Sequence, residues 1–133
     1  MMIEQAITES GIQYDRLSKK EGIAVSSEWL KRFATNVKEK TGKYIDGNYK
    51  WEAYWSGVEP ASSGSKAIHE YVHSEREDFY ILDESGKNVF LCVACEWHNF
   101  LESNNDIYVV PKSMAWSMAF SHEGTCHYAI AQT

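Results

Sequence analysis

The sequence predicts an α+β domain in which an antiparallel sheet of about four to five strands carries helices on one face. Three observations predict it. An apolar stripe at helical spacing runs through residues 27–41. Three apolar segments after residue 105 are separated by connections too short for anything but hairpins. The 133 residues fit one domain, 1–133, and are too few for two ordinary ones.

Residues 1–10 read as a short helix or loose arm, and residues 11–25 show no clear period, so 1–25 is left as a loosely packed N-terminal arm. From Ser27 to Thr41 the positions Trp29, Leu30, Phe33 and Val37 share one helical face. Ser26 or Ser27 can cap its start, Lys38 and Lys40 suit its last turn, and Gly42 is a natural stop. Asn48 to Ser56 alternates and reads as a strand, with Tyr49, Trp51 and Trp55 on one face and Tyr54 on the other. The larger set is assigned to the core, which leaves Tyr54 to a partner or ligand. Pro60 to Gly64 is a loop, and Ser63 caps a helix over Gly64 to His73 that buries Ala67, Ile68, Tyr71 and Val72.

Asp78 to Leu82 is a strand, and Asp83-Glu84-Ser85-Gly86 is the turn after it. Residues 88–102 fit two periods. Phe90, Ala94, Trp97 and Leu101 suit a helix, which is favoured; Val89, Val93 and the compact apolar run suit a buried strand. Ser103-Asn104-Asn105 is a turn. The three closing strands are Asp106 to Val110, Ala115 to His122 and Cys126 to Ala131.

The longest apolar run, Val89 to Cys95, has seven residues against roughly 20 for a spanning helix, and the first residues lack the basic start of a signal peptide. The three cysteines, an odd number, argue for a reducing compartment. The expectation is a cytoplasmic protein that engages neither membrane nor nucleic acid and needs no cofactor.

Net charge is −6 and uneven. Residues 1–42 are nearly balanced, whereas residues 75–106 carry Glu75, Glu77, Asp78, Asp83, Glu84, Glu96, Glu102 and Asp106 against Arg76 and Lys87. Such a face repels nucleic acid and attracts a basic protein; the plainer reading is a solvated face that keeps the chain soluble.

Several groups carry candidate chemistry. His122-Glu123 with His127 could hold a general acid or base at a strand end, or be part of a solvated turn. Cys92, Cys95, His122, Cys126 and His127 together offer zinc-type ligands, with His98 near the first two; the alternative is that the cysteines pack as small apolar residues. Cys126 or Cys92 with His127 could form a nucleophile and base, and His69 and His73, four apart on one helix, could grip a metal or be exposed histidines. No Gly-rich phosphate loop or Gly-x-Ser-x-Gly elbow occurs.

The stretch Asp106-Ile107-Tyr108-Val109-Val110, then Trp116, then Ser121-His122-Glu123, resembles the C-terminal signature of an uncharacterised family of small bacterial proteins. Trp29 with Phe33-Ala34, and the aromatic segment Trp51 to Trp55, extend the resemblance over residues 26–128. It departs after Glu123, where Gly124-Thr125-Cys126 replaces a Gly-Pro-aromatic ending. The family has no assigned activity, so the resemblance implies no catalytic roles. In general character the chain also resembles toxin immunity proteins. The expected function is therefore an acidic inhibitor or immunity protein that binds a cognate basic protein, such as a toxin nuclease. Glu75, Glu77, Asp78, Asp83, Glu84 and Tyr54 would form its partner surface. The alternative is a small enzyme or metal-binding domain centred on His122, Glu123 and His127.

Overall fold

A computed structural model describes residues 3–45 and 49–131. Among these the elements are α1 (Ile3–Ser10), β1 (Tyr14–Arg16), α2 (Lys19–Phe33), α3 (Thr35–Thr41), α4 (Glu52–Trp55), β2 (Ser62–Ser63), α5 (Gly64–Val72), β3 (Phe79–Asp83), β4 (Val89–Cys92), β5 (Ile107–Pro111), β6 (Trp116–Phe120) and β7 (Cys126–Ile130). A single 3-10 turn spans Leu101–Ser103. The strands form one antiparallel sheet of seven in the order β1-β4-β3-β5-β6-β7-β2. The class is the α+β antiparallel sheet expected, but with seven strands rather than four to five.

The extra strands are short or concealed. β1 has three residues and β2 two, too few for alternation to register. β4 lies where a helix was favoured over residues 88–102. Its register against β3, with Ile81 opposite Phe90, makes the apolar run a buried strand, and the rest of 88–102 is irregular apart from the 3-10 turn.

Helices cover both faces of the sheet, not one. All five residues of β5 and of β6 are buried, which requires apolar cover above and below. Ile107, Val109, Met118 and Phe120 pack with Ile3 and Ile7 of α1 and Ala67 and Tyr71 of α5. Tyr108, Val110 and Ala119 face the other way, onto Trp29 and Phe33 of α2 and Tyr54 of α4. The N-terminal residues are thus not a loose arm in the described range: Ile7 is fully buried.

The stripe read over residues 27–41 belongs to two helices, broken at Ala34. Its start lies earlier, at a capping box in which the Ser18 hydroxyl accepts from Glu21 N and the Glu21 carboxylate accepts from Ser18 N. Ser26 is not a cap; its hydroxyl donates to the Gly86 carbonyl. At Gly86, φ is +71° and an added Cβ would meet Ser26 Oγ at 3.0 Å, so that turn demands glycine. α3 is capped from a distance: buried Glu59 accepts from Val37 N at 2.8 Å. Asn48 to Ser56 is not a strand. Asn48 lies outside the described residues, and Glu52–Trp55 is a single helical turn that buries Trp51 and Tyr54 and exposes Trp55.

Trp29 joins the layers most directly. It is 1% exposed, its ring sits edge-on to Tyr108, and its indole N–H donates to Ser117 Oγ at 2.9 Å. Trp29→Ala should cost about 3–5 kcal/mol in urea unfolding. Trp29→Phe, which keeps most of the packing and removes one donor to Ser117 Oγ while the Ser117 hydroxyl still donates to the Val109 carbonyl, should cost about 0.5–1.5 kcal/mol for the lost hydrogen bond.

Candidate functional site

The β5–β6 hairpin pairs Ile107 with Phe120, so residues just outside the pair emerge together at one end of the sheet. Asp106 and His122 meet there. The Asp106 carboxylate accepts from His122 N at 2.9 Å and lies 3.0 and 3.1 Å from His122 Nδ1. The same carboxylate accepts from the Trp51 indole N–H at 2.8 Å. Tyr49 stacks on Trp51 and leans against the His122 ring, with centroids 4.9 Å apart. With Nδ1 held by the carboxylate, Nε2 is the nitrogen left for proton exchange.

Beside this dyad lies a second polar group. The Tyr108 hydroxyl donates to Glu84 and accepts from Trp51 N at 3.0 Å. Lys50 reaches both the side chain and the backbone carbonyl of Glu84. Burial raises the Glu84 carboxyl pKa, and the Lys50 charge counteracts it. Burial, with the Glu84 charge added, pushes the Tyr108 phenol well up.

His127 is separate. It is 2% exposed on β7, with Nδ1 2.9 Å from Ser63 Oγ and its ring parallel to Trp51 and near-parallel to Tyr54. Both histidines pack on Trp51 rather than on one another. Glu123 is exposed in the turn, so His122, Glu123 and His127 form no single constellation.

The zinc-type set does not assemble either. Cys92 and Cys126 sit in the core beneath α1 and α5, on the face opposite His127, and Cys95 lies in the loop after β4. Among the described residues no group of three or more His, Cys, Asp or Glu is arranged to hold a metal. Burial holds the Cys92 thiol up at about 12 and raises Cys95 and Cys126 as well, which keeps all three protonated and poorly nucleophilic near neutrality.

The acidic residues chosen for a partner surface fall at opposite ends of β3. Glu75, Glu77 and Asp78 precede the strand; Asp83 and Glu84 close it. Most are engaged internally. Glu77 accepts from Ser113 N and Oγ, Asp78 from Ala94 N, and Asp83 from Ser85 and Asn88. Tyr54 is buried and donates to the Phe33 carbonyl at 2.9 Å, so the ring presented outward is Trp55. Trp55 borders two concavities. One, of about 270 Å³, lies against Val37, Glu52 and Val58; the other, of about 390 Å³, against Ile68, Leu101, Cys126 and His127.

Compared with protein-family models, curated proteins and solved structures, the chain gives no significant match to any. Among the described residues no helix is long and apolar enough to cross a membrane.

The two histidines should titrate apart. The Asp106 hydrogen bond raises the His122 pKa, the Asp106, Glu123 and Glu84 charges add to it, and desolvation opposes it. Its stabilising contribution is therefore complete below the ordinary imidazole value and is lost as pH rises through the raised folded value. Burial lowers His127, so its contribution is complete above the ordinary value and drains as pH falls below it. NMR titration should place the His122 midpoint above the ordinary value and His127 below it. Asp106→Asn should return His122 toward the ordinary value and leave His127 where it is; the reverse order would contradict the assignment.

Proposed function

We propose that the chain is a cytoplasmic protein-binding module of the inhibitor or immunity type, with Trp55 as the anchor of its contact surface and a basic protein, such as a toxin nuclease, as its partner. One observation carries this reading. Trp29, Trp51, Trp97 and Trp116 are 1, 4, 7 and 7% exposed, whereas Trp55 is 70% exposed. Exposing one indole this far forgoes about 1.5–3 kcal/mol of burial, as for other large apolar side chains. Tryptophan is also the residue most enriched among interface anchors.

Its setting supports the same reading. α4 is pinned by Trp51 and Tyr54 on its inner side, so the ring is presented with little backbone freedom to lose on binding. The flanking concavities can accept partner side chains. Glu52 beside the smaller one, Glu123 next to the larger and the net charge of −6 favour a cationic partner. The specific carboxylates expected from the sequence contribute to the overall field, but Glu77, Asp78, Asp83 and Glu84 are hydrogen-bonded within the chain and are not the contact set in this reading.

A second reading is favoured by one specific feature, the Asp106–His122 dyad. A carboxylate that fixes the imidazole tautomer is what a general base needs. In that reading the chain is a small enzyme with His122 as the base, and His127 lies outside the centre.

The test uses the product of the reading frame next to this gene, where it encodes a basic secreted protein. Affinity is measured by calorimetry, and the association rate by stopped-flow fluorescence, at low and high salt. Trp55→Ala should weaken binding by about 30-fold or more without shifting the melting midpoint, and association should slow as salt rises. His122→Ala should leave affinity unchanged. A Trp55→Ala protein that binds like wild type would defeat the proposal. Loss of binding or of an activity only in His122→Ala would move the function to the dyad.

A further inference from the structure

Helix α5 ends in a pair of histidines that neither reading uses. His69 and His73 stand one turn apart, both exposed, with ring centroids 4.2 Å apart and planes inclined by 33°. His73 is the C-cap of the helix, and its Nδ1 lies 2.8 Å from the His69 carbonyl oxygen. A carbonyl only accepts, so Nδ1 carries the hydrogen and the lone pair of His73 is on Nε2. An imidazole that donates one N–H to a backbone carbonyl and offers the other nitrogen is the arrangement metal-bound histidines adopt.

The location adds to this. The pair sits on the last turn, where the unsatisfied carbonyls give the helix end a partial negative charge that favours a cation. Lys66 is the only basic side chain on α5 apart from the pair, and it lies at the other end of the helix. One ion bound through two nitrogens at about 2.0–2.1 Å needs those donors about 3–4 Å apart, which rings this close reach by side-chain torsion alone.

We infer that His69 and His73 form a two-point chelating site for a divalent transition-metal ion of the Ni²⁺, Cu²⁺ or Zn²⁺ type, with water completing the coordination. The expected preference places Cu²⁺ above Ni²⁺ and Zn²⁺. Bound metal staples the last turn of α5, which also carries Tyr71 into the core and leads to Ser74, whose hydroxyl pairs with Tyr128. Binding to the folded chain alone therefore raises its melting midpoint.

The test titrates NiCl₂ into the full chain after treatment with chelator. Wild type should bind one Ni²⁺ per chain and melt at a higher temperature with the metal than without. His69→Gln and His73→Gln should each weaken binding by about tenfold or more and abolish the thermal shift. Both side chains are exposed, so each variant should melt like wild type in chelator, which separates a lost site from a lost fold. Cys95→Ser and His98→Gln, at a half-buried thiol and an exposed imidazole that line a separate concavity, should bind Ni²⁺ as wild type does. Equal Ni²⁺ affinity in wild type and both α5 variants, or loss of binding in Cys95→Ser or His98→Gln instead, would overturn the assignment.

Discussion

Burial of β5 and β6 on both faces is the constraint from which the remaining architecture follows. A strand whose every side chain leaves water must be roofed twice. The chain meets this with α1 and α5 over Ile107 and Val109, and with α2 and α4 over Tyr108 and Val110. The same demand creates the polar network at the sheet end. Tyr108 brings a hydroxyl into the second layer, and a buried hydroxyl without partners costs about 1–3 kcal/mol. Glu84 and the backbone N–H of Trp51 supply those partners, and Lys50 in turn offsets the Glu84 charge. Among the described residues no buried side-chain nitrogen or oxygen lacks a hydrogen bond.

Trp51 is where the two layers and the polar cluster meet. Its indole N–H binds Asp106, its backbone N–H binds the Tyr108 hydroxyl, and its ring touches Tyr49, His122 and His127. One residue thereby fixes α4 against the sheet, and with it the direction in which Trp55 points. Rigid presentation of that ring is a product of core packing rather than of the exposed turn itself.

Parts of this arrangement are legible in the amino-acid sequence. The three C-terminal strands and α5 were visible because each is bounded by strong punctuation: Ser63-Gly64, Asn104-Asn105, Pro111 and Gly124. Residues 49–56 misled because Trp51 and Trp55 fit a period of two as well as a helical turn, and only packing decides that Tyr54 joins Trp51 inside. β4 misled for the same reason. The two-sided cover was readable in principle, since Ile107 to Pro111 has no polar position to face water apart from the Tyr108 hydroxyl. Of the candidate site, His122 and Glu123 were visible as a strand end. Asp106 was legible as a strand start, as one acid of the 75–106 set and as part of the signature, but not as the partner of His122, which is 16 residues away and joins it only through hairpin register. The acidic residues were legible as charge but not as contacts: hydrogen bonds to Ser113, Ala94 and Asn88 cannot be inferred from composition.

The sheet closes on both sides with fragments, three residues of β1 and two of β2. Rows of unsatisfied backbone groups that could recruit an extended peptide, or another copy growing edge to edge, are therefore cut short. Any template for β-augmentation is confined to these short strands and to the part of β7 that β2, pairing only with His127 and Tyr128, leaves uncovered. Recognition is thereby weighted toward side chains projecting from the faces of the fold.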